Sequence, residues 1–318
     1  MRLRCAILDD YQTVALKLAD WSRITDRVEL TVFDQPFASA DETIAALQDF
    51  AIVCAMRERT PFRRDTLMQL PQLKLLMTSG MRNASFDLQA AQECGVTVCG
   101  TGTVGNPTAA LTIGLMLELM RRIGFENERM KRGERWQTTI GHDVEGKTLG
   151  IVGLGKLGRK VAQVAAALGM KVMAWSPNLT PVRCAEAGVA YAGKDELFTQ
   201  ADVISIHMVL SDRTRGLVTR DDLARMKPTA YLINTARAPI VDEAALLDVL
   251  QRRAIAGAAL DVFAQEPLPR DHPLRSLDNV VLTPHLGYVS EQNYRVYFRD
   301  AVENIRAFLD GKPIRVIS

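Results

Sequence analysis

The chain has 318 residues, 47% hydrophobic and 24% charged, with a net charge of +2. Length and balance fit about two globular domains with substantial cores. So small a charge gives no argument for nucleic acid or an anionic membrane as partner, and no apolar run reaches the roughly 18 residues needed to span a bilayer.

The chain opens on MRLRCAILDD, whose apolar stretch is too short for a signal peptide, so a cytoplasmic protein is expected. Strand-like apolar runs follow at 5–8, 28–33, 51–56, 73–77 and 96–99. A long apolar helix is predicted over 108–120, placed to pack across a junction. A second series of strands follows at 149–152, 171–175, 203–207, 230–234, 258–262 and 280–282. Amphipathic stretches at 41–47, 222–226 and 243–250 lie between strands, and a final helix is expected over 291–309. Such alternation of near-continuous apolar strands with helices implies an α/β fold of parallel sheets covered on both faces. Cys5, Cys54, Cys94, Cys99 and Cys184 are scattered, with no partner set for a metal, and read as reduced thiols.

Gly153, Gly155 and Gly158 form G-x-G-x-x-G directly after one such strand. Leu157, Val161, Val164, Ala165 and Leu168 continue at helical spacing, and Gly169 supplies a stop. In that context the first glycine permits the tight turn, the second admits a pyrophosphate to the backbone, and the third lets helix and strand pack. Free amides at the helix start then face the phosphates, with Lys156 adding charge. A ribose-binding Asp or Glu is expected at the end of the next strand, but Ser176 stands there, followed by Pro177. Serine accepts a ribose hydroxyl weakly and does not repel a 2′-phosphate. The nearest following cation is Arg183. The cofactor is therefore NAD or NADP, with a slight lean to NAD and weak discrimination.

Three later segments, LINTARAPIVDEAAL, AALDVFAQEPLP and VVLTPHLGY, each sit near a strand end. Ligands of open parallel sheets bind beyond the carboxyl ends of strands, so Arg237, Glu266 and His285 are candidates to converge there. Together with GKTLGIVGLGKLG and ADVISIHMVLSDRTRGLV, these blocks resemble the D-2-hydroxyacid dehydrogenase family over nearly the whole chain. The resemblance implies two doubly wound parallel-sheet domains, a Rossmann cofactor domain inserted in a flavodoxin-like substrate domain. The expected boundaries are 1–100 with 290–318 for the substrate domain and 101–289 for the cofactor domain, the last helix returning to the first domain.

The resemblance also implies roles. His285 is the acid/base, Glu266 its orienting carboxylate and Arg237 the clamp on the substrate carboxylate. Imidazole suits proton transfer near neutrality, and a planar guanidinium suits bidentate carboxylate binding. Thr235 and Gly287 fall within the cofactor-binding blocks, and Asp261 matches the family's contact to the nicotinamide carboxamide. In the smaller domain the loop TSGMRNASFD keeps Gly80, next to Met81, but carries Arg82 and Asn83 where small or apolar residues are common. Gly80, Met81 and Arg82 are candidate substrate contacts, as is Arg57, with Arg59 competing for its role. His207 is expected to be structural or near the cofactor, and His142 and His272 to lie on surface loops. Trp136 matches a tryptophan often near the subunit partner.

The expected substrate is a small anionic 2-hydroxy or 2-keto acid such as glyoxylate or hydroxypyruvate, handled by a homodimer, with no nucleic acid, membrane or metal partner. The chain ends soon after its last helix, so a regulatory C-terminal domain is not expected. The alternative is a dinucleotide-sensing scaffold or corepressor on the same fold.

Overall fold

The computed structural model describes residues 2–317. The chain forms two compact units, one from Met1–Gly105 with Ser290–Ser318 and one from Asn106–Val289.

The first unit is built on β1 (Leu3–Ile7), β2 (Val28–Val32), β3 (Ile52–Ala55), β4 (Leu75–Thr78) and β5 (Thr97–Cys99), all paired in parallel. Their order is β2-β1-β3-β4-β5, so the winding reverses between β1 and β3. Strands β3 and β4 are buried throughout, which explains why they read as unbroken apolar runs rather than alternating ones. Helix Ala40–Leu47 is capped by the Ser39 side chain, and helix Leu88–Glu93 by that of Asp87. Phe62 and Phe86 meet edge to face at 5.5 Å within the core.

Helix Glu291–Leu309 belongs to this unit. Its buried Asp300 accepts from the Gly102 amide at 2.8 Å, and Asn304 donates to the Gly100 carbonyl at 2.8 Å. Val316 then bridges antiparallel to Cys99 on the β5 edge.

The second unit carries β6 (Thr148–Val152), β7 (Lys171–Trp175), β8 (Ala190–Tyr191), β9 (Val203–Ile206), β10 (Tyr231–Asn234), β11 (Gly257–Leu260) and β12 (Val280–Leu282). Every pair is parallel, in the order β12-β11-β10-β9-β6-β7-β8, with the reversal between β6 and β9. This is the doubly wound arrangement that opens a crevice at the carboxyl ends of the two central strands. The sequence reading missed β8, whose two residues are both exposed and present no apolar run. The helix predicted over 108–120 spans Pro107–Arg121. Its buried face, including Leu115, Met116 and Leu119, shares a core with Leu149 and Ile151 of β6, so its packing lies within the second unit.

All five cysteines are free, and Cys94 alone among them is exposed. No helix among the described residues is long and apolar enough to cross a membrane.

Candidate active site

Beyond β6 the chain makes the tight turn that the glycine spacing implies. Gly153 adopts φ +103°, and a β-carbon there would stand 2.8 Å from the His207 carbonyl oxygen just beyond β9. At Gly158 a β-carbon would meet the Gly153 carbonyl at 2.2 Å, so only glycine lets helix Lys156–Ala167 sit this close to the strand. Gly155 differs: a β-carbon there would have nothing within 4 Å. It is the N-cap of the helix, and no side chain caps the first-turn amides. An open approach to uncapped amides suits the pyrophosphate of a dinucleotide. Lys156 is exposed at the first helical position, while Leu157 packs partly into the core.

His207, beside this turn, pairs its Nε2 with Ser205 Oγ at 2.9 Å. Burial pushes its pKa down to about 4, which keeps the ring neutral at neutral pH. Beyond β7, Ser176 is partly buried and its carbonyl accepts from the Leu179 amide at 3.0 Å. Arg183 is exposed on helix Pro181–Glu186.

The three remaining strand-end candidates fall on consecutive loops, after β10, β11 and β12. His285 Nδ1 lies 2.7 Å from Glu266 Oε2, with His285 held at φ +53°. The other carboxylate oxygen of Glu266 accepts from the Phe263 amide at 2.9 Å. Burial pushes the Glu266 carboxyl up, but the bond and charge of His285, the Phe263 amide and the charge of Arg237 together hold it below the ordinary glutamate value. Glu266 is therefore ionised at neutral pH and fixes the ring through Nδ1, so that Nε2 is the nitrogen outside this contact. Arg237 is partly buried, and the turn before it is pinned by Asn234, which donates to the Arg237 carbonyl and accepts from the Ala236 amide, both at 3.0 Å. The Arg237 Nη1 donates to the Ala236 carbonyl at 2.7 Å.

Asp261 holds the histidine loop. Its side chain is wholly buried and accepts from the Thr283 hydroxyl at 2.6 Å, the Leu286 amide at 2.7 Å and the Gly287 amide at 2.8 Å. Burial raises its carboxyl above the usual value, against the pull of those donors and of His285. Two threonines missed by the sequence reading bind the same loops to helix Pro107–Arg121. Thr108 donates to the Gly287 carbonyl at 2.7 Å, and Thr112 shares a 2.9 Å bond with buried Thr235. Tyr288 adds an edge-to-face contact with the His285 ring, centroids 5.5 Å apart. The threonine spacing of i and i+4 on a helix was the available signal, but it did not reveal which loops they reach.

In the first unit, Arg57 follows β3 at φ +53° and donates to the Ser79 carbonyl at 3.1 Å. A β-carbon on Gly80, itself at φ +87°, would lie 2.4 Å from the Arg57 Nη1, so the guanidinium lies over that glycine. The Gly80 amide is already taken by Thr101 Oγ1 at 2.8 Å, which removes it from the loop amides a carboxylate ligand could use. Met81 and Arg82 are exposed. Asn83 is structural, donating to the Arg57 carbonyl at 2.6 Å and to Thr78 Oγ1 at 2.9 Å. Arg59 donates to the Asp9 carbonyl and stacks its guanidinium 4.3 Å from the Tyr11 ring. His142 is exposed, and His272 lies on a loop as expected but is partly buried, capping a short helical turn through Nδ1. The ring is drawn inward because it supplies the acceptor for the Leu274 amide.

A phosphate-accepting turn at the reversal point of a parallel sheet, in the same unit as a carboxylate-held imidazole, is equipment for dinucleotide-dependent oxidation and reduction. Comparison with known proteins narrows the class. Residues 113–287 match the model of the D-isomer specific 2-hydroxyacid dehydrogenase NAD binding domain. The chain is 36% identical over 289 residues to the glycerate dehydrogenase of Methylorubrum extorquens, covering 87% of this chain and 88% of that protein. It is 39% identical over 264 residues to the D-3-phosphoglycerate dehydrogenase of Synechocystis, covering 82% of this chain but only 47% of that longer enzyme. The crystal structure of a phosphoglycerate oxidoreductase from Vibrio cholerae superposes with a TM-score of 0.92 at 36% identity, covering 97% of this chain and 99% of that one. This chain belongs to the D-2-hydroxyacid dehydrogenase family, the NAD(P)-dependent oxidoreductases acting on CH–OH groups.

Proposed function

We propose that this protein interconverts a small D-2-hydroxy acid and its 2-keto acid, with His285 as acid/base, Glu266 positioning it and Arg237 clamping the substrate carboxylate. The 2.7 Å bond between His285 Nδ1 and the Glu266 carboxylate carries this reading. Bound nicotinamide supplies or accepts the hydride. In the reducing direction, protonated His285 gives its Nε2 proton to the oxygen of the substrate carbonyl; in the oxidising direction it takes that proton back. Arg237 offers two parallel N–H donors to the carboxylate and a positive charge beside the reacting carbon. Arg57, Met81, Arg82 and the Gly80 turn serve substrate recognition. Gly153, Gly155, Lys156, Leu157, Gly158, Ser176, Thr235, Asp261 and Gly287 serve the cofactor, Asp261 doing so while it shapes the histidine loop.

Small acids such as glyoxylate and hydroxypyruvate are the preferred candidates. Assay of a panel of small 2-keto acids with NADH and NADPH tests the reading. At least one acid is expected to be reduced; binding of both cofactors with oxidation of neither by any acid would refute it. With Ser176 at the ribose position and Arg183 exposed, the preference between cofactors is expected to stay below about a hundredfold, or ~2.7 kcal/mol. We further infer that the protein works in the cytosol as a homodimer. Ile123, Met130, Trp136 and Ile140 are all exposed on helix Ile123–Lys131 and the segment after it, apolar side chains that a second copy could cover. Sedimentation equilibrium should give twice the chain mass.

A further inference from the structure

We propose a second ligand site in the Asn106–Val289 unit, a cavity that takes a small neutral alcohol or phenol. It lies beyond the carboxyl ends of β10 and β11 and has a volume of about 250 Å³. Its wall includes Val241, Leu246, Leu247, Leu260, Phe263 and Leu274. Neither the glycine turn nor Arg237, Glu266 or His285 lines it. The volume exceeds the roughly 150 Å³ of an apolar cavity that accepts benzene, so a compact ring or branched chain fits.

The polar end of the cavity selects a hydroxyl. His272 and Glu243 both line it. His272 Nδ1 accepts from the Leu274 amide at 3.3 Å, which puts the ring hydrogen of the neutral form on Nε2. That Nε2 stands 3.8 Å from Glu243 Oε1, too far for a hydrogen bond. A hydroxyl oxygen about 2.8 Å from each would accept from His272 and donate to Glu243. A second carboxylate there would face Glu243 with like charge, so the occupant is neither the 2-hydroxy acid substrate nor another anion.

Two neighbours connect the cavity to the catalytic loops. Asn234 lines it and pins the turn before Arg237; Phe263 lines it and donates its amide to Glu266. An occupant therefore touches the anchors of both residues without touching either of them.

The test is titration calorimetry of phenol into the full chain, alone and with saturating NADH. One saturable site per chain is expected, with dissociation constants agreeing within about threefold, because no glycine-turn residue lines the cavity. Toluene, matched in size but lacking the hydroxyl, should bind about tenfold more weakly, the scale of a hydrogen bond to a charged group. Ala244→Phe, at an exposed rim position that leaves the fold intact, should weaken phenol about tenfold or more by filling the cavity mouth. Absence of saturable binding, displacement of phenol by NADH, equal affinity for toluene, or unchanged binding by Ala244→Phe would each overturn the proposal. None of these outcomes bears on turnover of keto acids, so the two readings fail independently.

Discussion

Gly155 and Gly80 each stand beyond a parallel strand, and the two positions do opposite things. Gly155, after β6, is exposed, has no neighbour where a side chain would stand, and leads into uncapped helix amides. Gly80, after β4, is buried, gives its amide to Thr101 and lies beneath the Arg57 guanidinium. The first glycine leaves open space, whereas the second lets a charged side chain of the protein itself come close. A glycine at a strand end thus marks a close approach, and its neighbours decide whether the visitor is a ligand or another part of the chain.

Substitutions separate these uses. Gly158→Ala should have the largest effect on stability, about 3 kcal/mol, because the new methyl meets backbone at 2.2 Å. NADH binding should fall with it, and a denaturation curve beside a binding titration reads both. His207, whose carbonyl packs on Gly153, makes the same region acid-sensitive. Its folded pKa, about 4, lies below the ordinary histidine value of about 6.5, so the unfolded chain binds the proton more readily. Stability from this group is full above pH 6.5 and is lost as pH falls through the window down to about 4. By pH 5 the loss should be about 2 kcal/mol, and His207→Gln should remove that part of the slope.

Gly80→Ala should cost about 1–2 kcal/mol, chiefly from its positive φ since the Arg57 tip can shift, and should leave NADH affinity unchanged. Gly155→Val should change stability least, by under about 0.5 kcal/mol, yet weaken NADH about tenfold or more by standing in the phosphate approach. Equal effects of the last two variants on stability and on NADH would erase the distinction between the loops.

The glycine contrast also shows where sequence reading stops. Gly153, Gly155 and Gly158 were legible because strand, spacing and helix are contiguous; Gly153 and Gly158 carry the expected close packing, and the space beside Gly155 is open. At Gly80 the local sequence shows the turn but not its neighbours, because Thr101 and Arg57 follow other strands. Asp261 was read as a cofactor contact alone; its bonds to Thr283, Leu286 and Gly287 span 22 to 26 positions and have no local signature. The strands were legible as apolar runs except β8, too short and too exposed to form one. Arg237, Glu266 and His285 were found through their blocks, but the inputs that shape them, Asn234 and the Phe263 amide, became visible only on folding.

The most direct test of the account is to measure keto-acid turnover and NADH affinity on the same sample of His285→Ala. Loss of a general acid/base predicts a fall in turnover of about a hundredfold to ten-thousandfold, with NADH affinity within about twofold of the unchanged protein. Turnover retained by that variant would contradict the assignment of His285 and with it the proposed chemistry.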